Sequence, residues 1–337
     1  MDDACGDARR VRRVRRAPIH GSTRPRAGSA LRAAAANLLA TAAALRAPAA
    51  NLLATAALLL AGPLGCGQRA PETDAGAAKP PAWAEAATWA ADPLWDDGLA
   101  EVATYDARRA RYGKERLYTA HLITVKEDLN AALHVKADPP YDSKELLPVL
   151  KLNVAEVMPT DNYDYHVLTT VLARRDRVDR AHKMTVGMHE WCGNTFLEYM
   201  GWALAPRLHY HSYFDGQGDG EWSLGPGLLD EQLPLSLRSL PFAPGAAWRI
   251  DLLDPLVLRP LATSPAVQAA AVRVLGREPV ATAAGDTLDT WHVTVDRPAG
   301  PDADLWFAAA YPNLLVRLAA ADGRALLLRT HVRRAYW

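Results

Sequence analysis

The 337 residues predict a mainly β protein: a curved antiparallel sheet or open half-barrel with one or two short helices. Three observations carry that expectation. From Gly98 onward two-residue alternation is common and helical spacing is scarce. Turn signals separate the alternating runs, among them Gly113, Gly285, Gly300 and Asp322-Gly323, and Asp-Gly is a strong hairpin signal. Only Leu228 to Leu240 breaks the pattern, with Leu229, Leu233, Leu237 and Leu240 on one helical face. The expected plan is a signal segment over 1–65, an anchored linker over 66–98 and a β-rich domain over 99–337, with two sub-halves meeting near 215–227 as an open variant.

Residues 1–32 carry nine arginines and three aspartates, and an Ala/Leu tract follows to Gly65. This is the order of a positive n-region and an apolar h-region, although the n-region is long. Within the tract, Asn37 to Ala43 recurs as Asn51 to Ala57. Two copies with a period of 14 are too few and too short for a folded repeat. The tract ends in Leu60-Ala61-Gly62-Pro63-Leu64-Gly65-Cys66-Gly67, as at the cleavage junction of a bacterial lipoprotein. The leucine expected three residues before the cysteine stands one step late, at Leu64. Cys66 is therefore the expected lipidation site, where two or three acyl chains would anchor the protein stably. An uncleaved apolar anchor and an ordinary secretory signal are the alternatives. Arg9-Arg10 and Arg12-Arg13 lack the following residues of a twin-arginine signal.

Residues 1–66 hold ten of the 38 basic residues and three of the 38 acidic ones. The remainder has 28 basic against 35 acidic, a net of −7. A mildly acidic body lacks the clustered Lys/Arg that a nucleic-acid partner needs. With Cys5 removed and Cys66 acylated, only Cys192 is left as a thiol, so no internal disulfide is expected. The linker is rich in Ala and Pro, and Trp83, Trp89 and Trp95 recur at six-residue spacing, which predicts that its end docks on the body.

Within the body, Val102, Thr104 and Asp106 alternate with Ala103, Tyr105 and Ala107, and the chain turns at Tyr112-Gly113-Lys114 to return through Leu117 to Val125. Leu147–Val157, Tyr163–Ala173 and Lys183–Trp191 are further strands, and Phe196 to Phe214 reads as one bent strand. After the helical segment come strands near Trp248–Leu258, Ala269–Glu278, Thr290–Arg297, Asp304–Ala309, Leu314–Ala320 and Ala325–Ala335. About ten strands and one helix suggest a sheet curved around that helix or around an apolar ligand.

Catalytic signatures are absent: no Gly-x-Ser-x-Gly elbow, no phosphate loop and no dinucleotide fingerprint. His189-Glu190-Trp191-Cys192-Gly193 lacks the second histidine of a zinc-protease helix. A metal site could be assembled from Cys192, His189, His209 and His211; His209 and His211 project from one strand face and are weak metal candidates, but nothing in the sequence brings Cys192 near them. Asp215, Gln217 and Asp219 match a calcium loop at three positions, but its twelfth would be Pro226, so a glycine-rich hairpin is expected. Cys192 reads as a buried structural thiol. No cofactor is expected.

Tyr112-Gly113-Lys114-Glu115-Arg116, Ile123 to Glu127, Val149 to Asn153 and Glu190-Trp191-Cys192-Gly193 resemble a group of uncharacterised bacterial envelope lipoproteins. Some of these carry the name septum formation inhibitor; the motifs of that nucleotide pyrophosphatase family are not in this chain. Leu233 to Arg238, Trp291, Trp306-Phe307, Leu314 to Arg317 and Gly323 are similar to periplasmic domains that look like lipoprotein-localisation carriers. That resemblance implies an open half-barrel enclosing an apolar cavity, and it brings no catalytic residues. The resulting expectation is a non-enzymatic module, lipid-anchored to a membrane facing the periplasm and leaning to the outer membrane. It would bind a lipid, a lipoprotein or another apolar envelope component through Leu233, Leu237, Trp248, Trp291, Trp306 and Leu315. A dry core built of the same residues, a scaffolding lipoprotein and a metal-dependent hydrolase are the competing expectations.

Overall fold

A computed structural model describes residues 88–336. The expected signal segment, Cys66, Trp83 and most of the expected linker lie outside the described residues. The described chain is mainly β, and its strands belong to one sheet that is not closed into a barrel.

The first half is a meander of long strands. These are β1 (Ala100–Arg111), β2 (Lys114–Asn130), the two-residue β3 (Val135–Lys136), β4 (Leu146–Pro159) and β5 (Asp164–Arg174). They continue as β6 (Ala181–Glu190), β7 (Gly193–Met200), β8 (Arg207–His211) and β9 (Asp219–Ser223). The second half holds β10 (Leu228–Leu229), β11 (Ala247–Leu253), β12 (Val267–Ala281) and β13 (Thr287–Asp296). It ends with β14 (Ala303–Ala308), β15 (Leu315–Ala320) and β16 (Ala325–Arg334). The sheet runs β10 to β16 in sequence order, then β1, β2 and β4 to β9, with β3 paired to β2 outside that path.

The two halves are joined where β1 pairs antiparallel with β16, from Ala100↔Arg334 to Arg108↔Ala325. Residues 224–227 carry the chain from the β9 edge to the β10 edge. That short crossing fixes the curvature. Laid flat, fourteen inter-strand spacings would hold the edges about 67 Å apart. The five residue steps from Ser223 to Leu228 span at most about 18 Å. The sheet must therefore curl until its edges nearly meet.

Alternation decides which side chains enter the concave face. Ala103, Tyr105 and Ala107 of β1, Leu150 and Leu152 of β4, Val167 and Val171 of β5, and Leu305 and Phe307 of β14 are buried there in one core. Tyr105 closes it with a hydrogen bond from its hydroxyl to the Leu315 carbonyl at 2.7 Å, and burial pushes its phenol far above the ordinary range. Trp89 and Trp95 join this core, so the linker's end docks as their spacing predicts. Their rings lie 5.2 Å apart.

Four expectations need correction. The single bent strand from Phe196 to Phe214 is two strands, β7 and β8, reversing at 201–206. Gly201 passes so close to the Ala181 carbonyl that no side chain fits, and its N–H donates to the His182 carbonyl at 3.0 Å. The apolar turn Trp202-Ala203-Leu204-Ala205 gives no polar signal of the reversal. The Leu228–Leu240 helix is broken up: Leu228–Leu229 pair as a strand, and only Leu233–Ser236 is α-helical between two 3₁₀ turns. The strand expected to reach Leu258 stops at Leu253. Cys192 is exposed in the β6–β7 turn, because two residues at a hairpin tip have no layer above them.

Candidate functional site

The segment over residues 230–239 fills the concave face. Leu233, Leu235 and Leu237 are buried, and side chains on both sides pin the segment. Gln232 and Ser236 donate to the Val178 carbonyl on the β5–β6 turn. Arg238 reaches the first strand, its two terminal nitrogens each 2.8 Å from a Glu101 oxygen, while Nε donates to the Pro312 carbonyl at 3.0 Å. Its guanidinium also lies over Trp89 and Trp95, at 5.2 and 5.5 Å from the ring centroids.

At the start of this segment the sheet and the helical turns leave a cavity of about 80 Å³. Its apolar walls include Leu122, Val154, Leu233, Val257, Leu318 and Leu326. Glu156, Thr169 and Asp230 in its polar lining are buried. Tyr118 donates to Glu156 at 2.6 Å, and Arg109 stands 3.7 Å from the same carboxylate oxygen. Burial and then the Glu156 charge raise the Tyr118 phenol. Asp230 is held by Arg297 and, at 2.6 Å, by Arg324, which also donates to Asp322.

Next to Asp230, one oxygen of Glu231 accepts the N–H groups of Leu256 and Val257 at 2.6 and 3.0 Å. Burial first, and the Asp230 charge second, push the Glu231 carboxyl up. Among the residues that line this cavity, three buried atoms have no hydrogen-bond partner in the protein: Thr169 Oγ1, the second oxygen of Glu231, and Arg109 Nε. The cavity shares Arg109, Val257 and Arg324 with a wider groove of about 680 Å³ at the same end of the sheet.

Of the six residues expected to line a ligand site, only Leu233 faces this cavity. Leu237, Trp248 and Leu315 are buried core side chains. Trp291 packs against the core and stacks on Phe242 at 5.8 Å. Trp306 borders a second groove of about 550 Å³, its ring between His292 at 4.4 Å and the Arg317 guanidinium at 4.5 Å, its N–H on Glu278.

His209 and His211 sit together on β8 with ring centroids 4.6 Å apart, and His211 pairs with Asp219 at 3.2 Å. No group of three metal-ligating side chains occurs among the described residues. His189 pairs with Asn194, while Cys192 contacts the Tyr163 hydroxyl at 3.2 Å.

The cavity's polar residues were missed by sequence reasoning, although a signal exists. Glu156 interrupts the inward series Leu150, Leu152, Val154, Met158 on β4, and Thr169 interrupts Val167 and Val171 on β5. A carboxylate or hydroxyl at an inward position of a buried strand has to be satisfied or used.

The fold and site together define a mainly β protein with an open curled sheet and a partly polar cavity beneath a helical plug. No protein-family model matches the chain, and no curated protein or solved structure shows significant similarity to it.

Proposed function

We propose that this protein is a membrane-tethered envelope lipoprotein, anchored through acylated Cys66 and facing the periplasm, that binds a lipid, a lipoprotein or another apolar envelope component without catalysing a reaction. The observation that carries the reading is the cavity beneath residues 230–239, with apolar walls and a small set of convergent polar groups. The lipoprotein-like junction at Cys66 and the acidic body support the tether and the absence of a nucleic-acid partner. The test is native mass spectrometry of the full chain after expression in a bacterial envelope. One stoichiometric apolar species per chain supports the reading, and an empty chain overturns it. Cys66→Ser, assayed by membrane fractionation, is expected to release the protein from the membrane.

A second reading, a scaffolding lipoprotein in cell-wall or division assembly, rests on a different observation. The hairpin tips at one end of the sheet present Tyr112, Trp191 and Tyr213 to solvent, and Trp191 is 84% exposed. Exposed aromatics of this kind anchor protein interfaces. A photocross-linker at position 191 that traps one envelope protein would favour the scaffold.

A further inference from the structure

We propose that the inner cavity receives the oxygen-bearing head of an amphiphile, a carboxylate or a carboxylic ester, with the hydrocarbon tail pointing outward into the adjoining groove. The inference rests on the reading of this chain as a module for an apolar ligand, and it reverses the orientation that a purely apolar pocket would impose.

Size, chemistry and continuity favour head-first entry. The inner cavity, about 80 Å³, is several waters' worth of space, since one water needs about 10–15 Å³. That suits a carboxyl group and a few methylenes, not a whole acyl chain. The unpartnered Arg109 Nε and Thr169 Oγ1 are both donors, and both belong to residues that line this cavity. Thr169 is 1% exposed, so bulk water does not satisfy its hydroxyl. A ligand bearing acceptor oxygens completes both groups, whereas a tail-first ligand leaves them facing methylenes with the hydrogen bonds unmade.

The outer groove is the better place for hydrocarbon. Ala110, Pro255, Val257, Leu258, Pro260 and Ala266 line it, and its volume of about 680 Å³ accommodates a chain. Arg109, Val257 and Arg324 border both spaces, so groove and cavity adjoin. Arg324 is already committed to Asp230 and Asp322, which leaves Arg109 and Thr169 as the groups that read the head.

The test is isothermal titration of the full chain with dodecanoate and with its methyl ester, repeated on Thr169→Val and Val257→Trp. Thr169→Val keeps the shape and removes a hydroxyl that has no partner in the protein, so the thermal midpoint should not fall. Binding is expected to weaken about five- to tenfold, the effect of one neutral hydrogen bond. Val257→Trp fills the passage and should abolish binding. Preference for dodecanoate identifies a free fatty acid as the source of the head; equal binding identifies an esterified lipid.

Unchanged affinity in Thr169→Val overturns the head-first orientation while leaving the binding module standing. Failure of both compounds to bind overturns the proposal. Native mass spectrometry then decides separately whether the module carries some other apolar ligand.

Discussion

Arg238 and Glu101 form a two-point ion pair that ties the plug in the concave face to the first strand, 137 positions away. Both are nearly inaccessible, at 3% and 4% exposure. A guanidinium buried this deeply needs its carboxylate partner, because removing one charge strands the other in a low-dielectric interior. Glu101→Gln or Arg238→Met is expected to lower stability by about 3–5 kcal/mol in denaturant unfolding. The double variant should recover part of that loss, since an uncompensated charge then no longer remains. A double variant worse than the sum of the singles would falsify this account.

Glu231 supplies a pH test. Its folded carboxyl is raised above its ordinary value of 4.5, so the unfolded chain releases this proton first as pH rises. Its contribution is fully favourable below pH 4.5 and is lost progressively above it. Glu231→Gln keeps an oxygen for the Leu256 and Val257 N–H groups and removes the ionisation. Urea midpoints should show the variant gaining on the wild type from pH 4.5 to 8, and parallel curves for the two proteins would sink the idea.

His182 shifts stability in the opposite direction. Burial, and then the neighbouring His134, Arg174 and Lys183, pull its imidazole down to about 4. The folded state therefore resists a proton that the unfolded chain takes up near pH 6.5. Stability from this group is present above pH 6.5 and is lost as pH falls toward 4. In His182→Gln, whose amide can still meet His134, thermal midpoints between pH 4 and 6.5 should fall less steeply than in the wild type. The His134 ring stacked on Trp202 at 4.1 Å offers a fluorescence readout of the same transition.

Gly201 tests the turn between β7 and β8. A side chain there would collide with the backbone oxygen of Ala181 and meet the Tyr199 ring at 2.9 Å. Because backbone must move, Gly201→Ala is expected to cost about 1–3 kcal/mol, measured by urea unfolding. A stability within 0.5 kcal/mol of the wild type, the ordinary range of a surface substitution at about that size, would show the turn to be pliable.

The candidate site was only partly legible in the sequence. Leu233 was readable because an apolar face on a helical segment must be buried against something. Arg109, Tyr118, Glu156 and Thr169 gather at one cavity because β1, β2, β4 and β5 place them on the same concave face, from positions up to 60 residues apart. The register that aligns them, Tyr118 beside Ala107 and Val157 beside Thr119, is a product of pairing and leaves no mark on any single strand.

What the sequence determined by itself is what depends on near neighbours. The two-residue alternation of β1, the hairpin at Tyr112-Gly113, the strands of the second half and the docking of Trp89 and Trp95 follow from backbone geometry and the burial of apolar side chains over a few residues. Tertiary structure alone decided how those strands are ordered. The pairing of β1 with β16, the approach of the β9 and β10 edges and the breaking of the helical segment depend on partners far along the chain. Pairing between distant strands is chosen by the total packing of the curled sheet around its plug, a sum over residues far apart in the chain that no single strand carries.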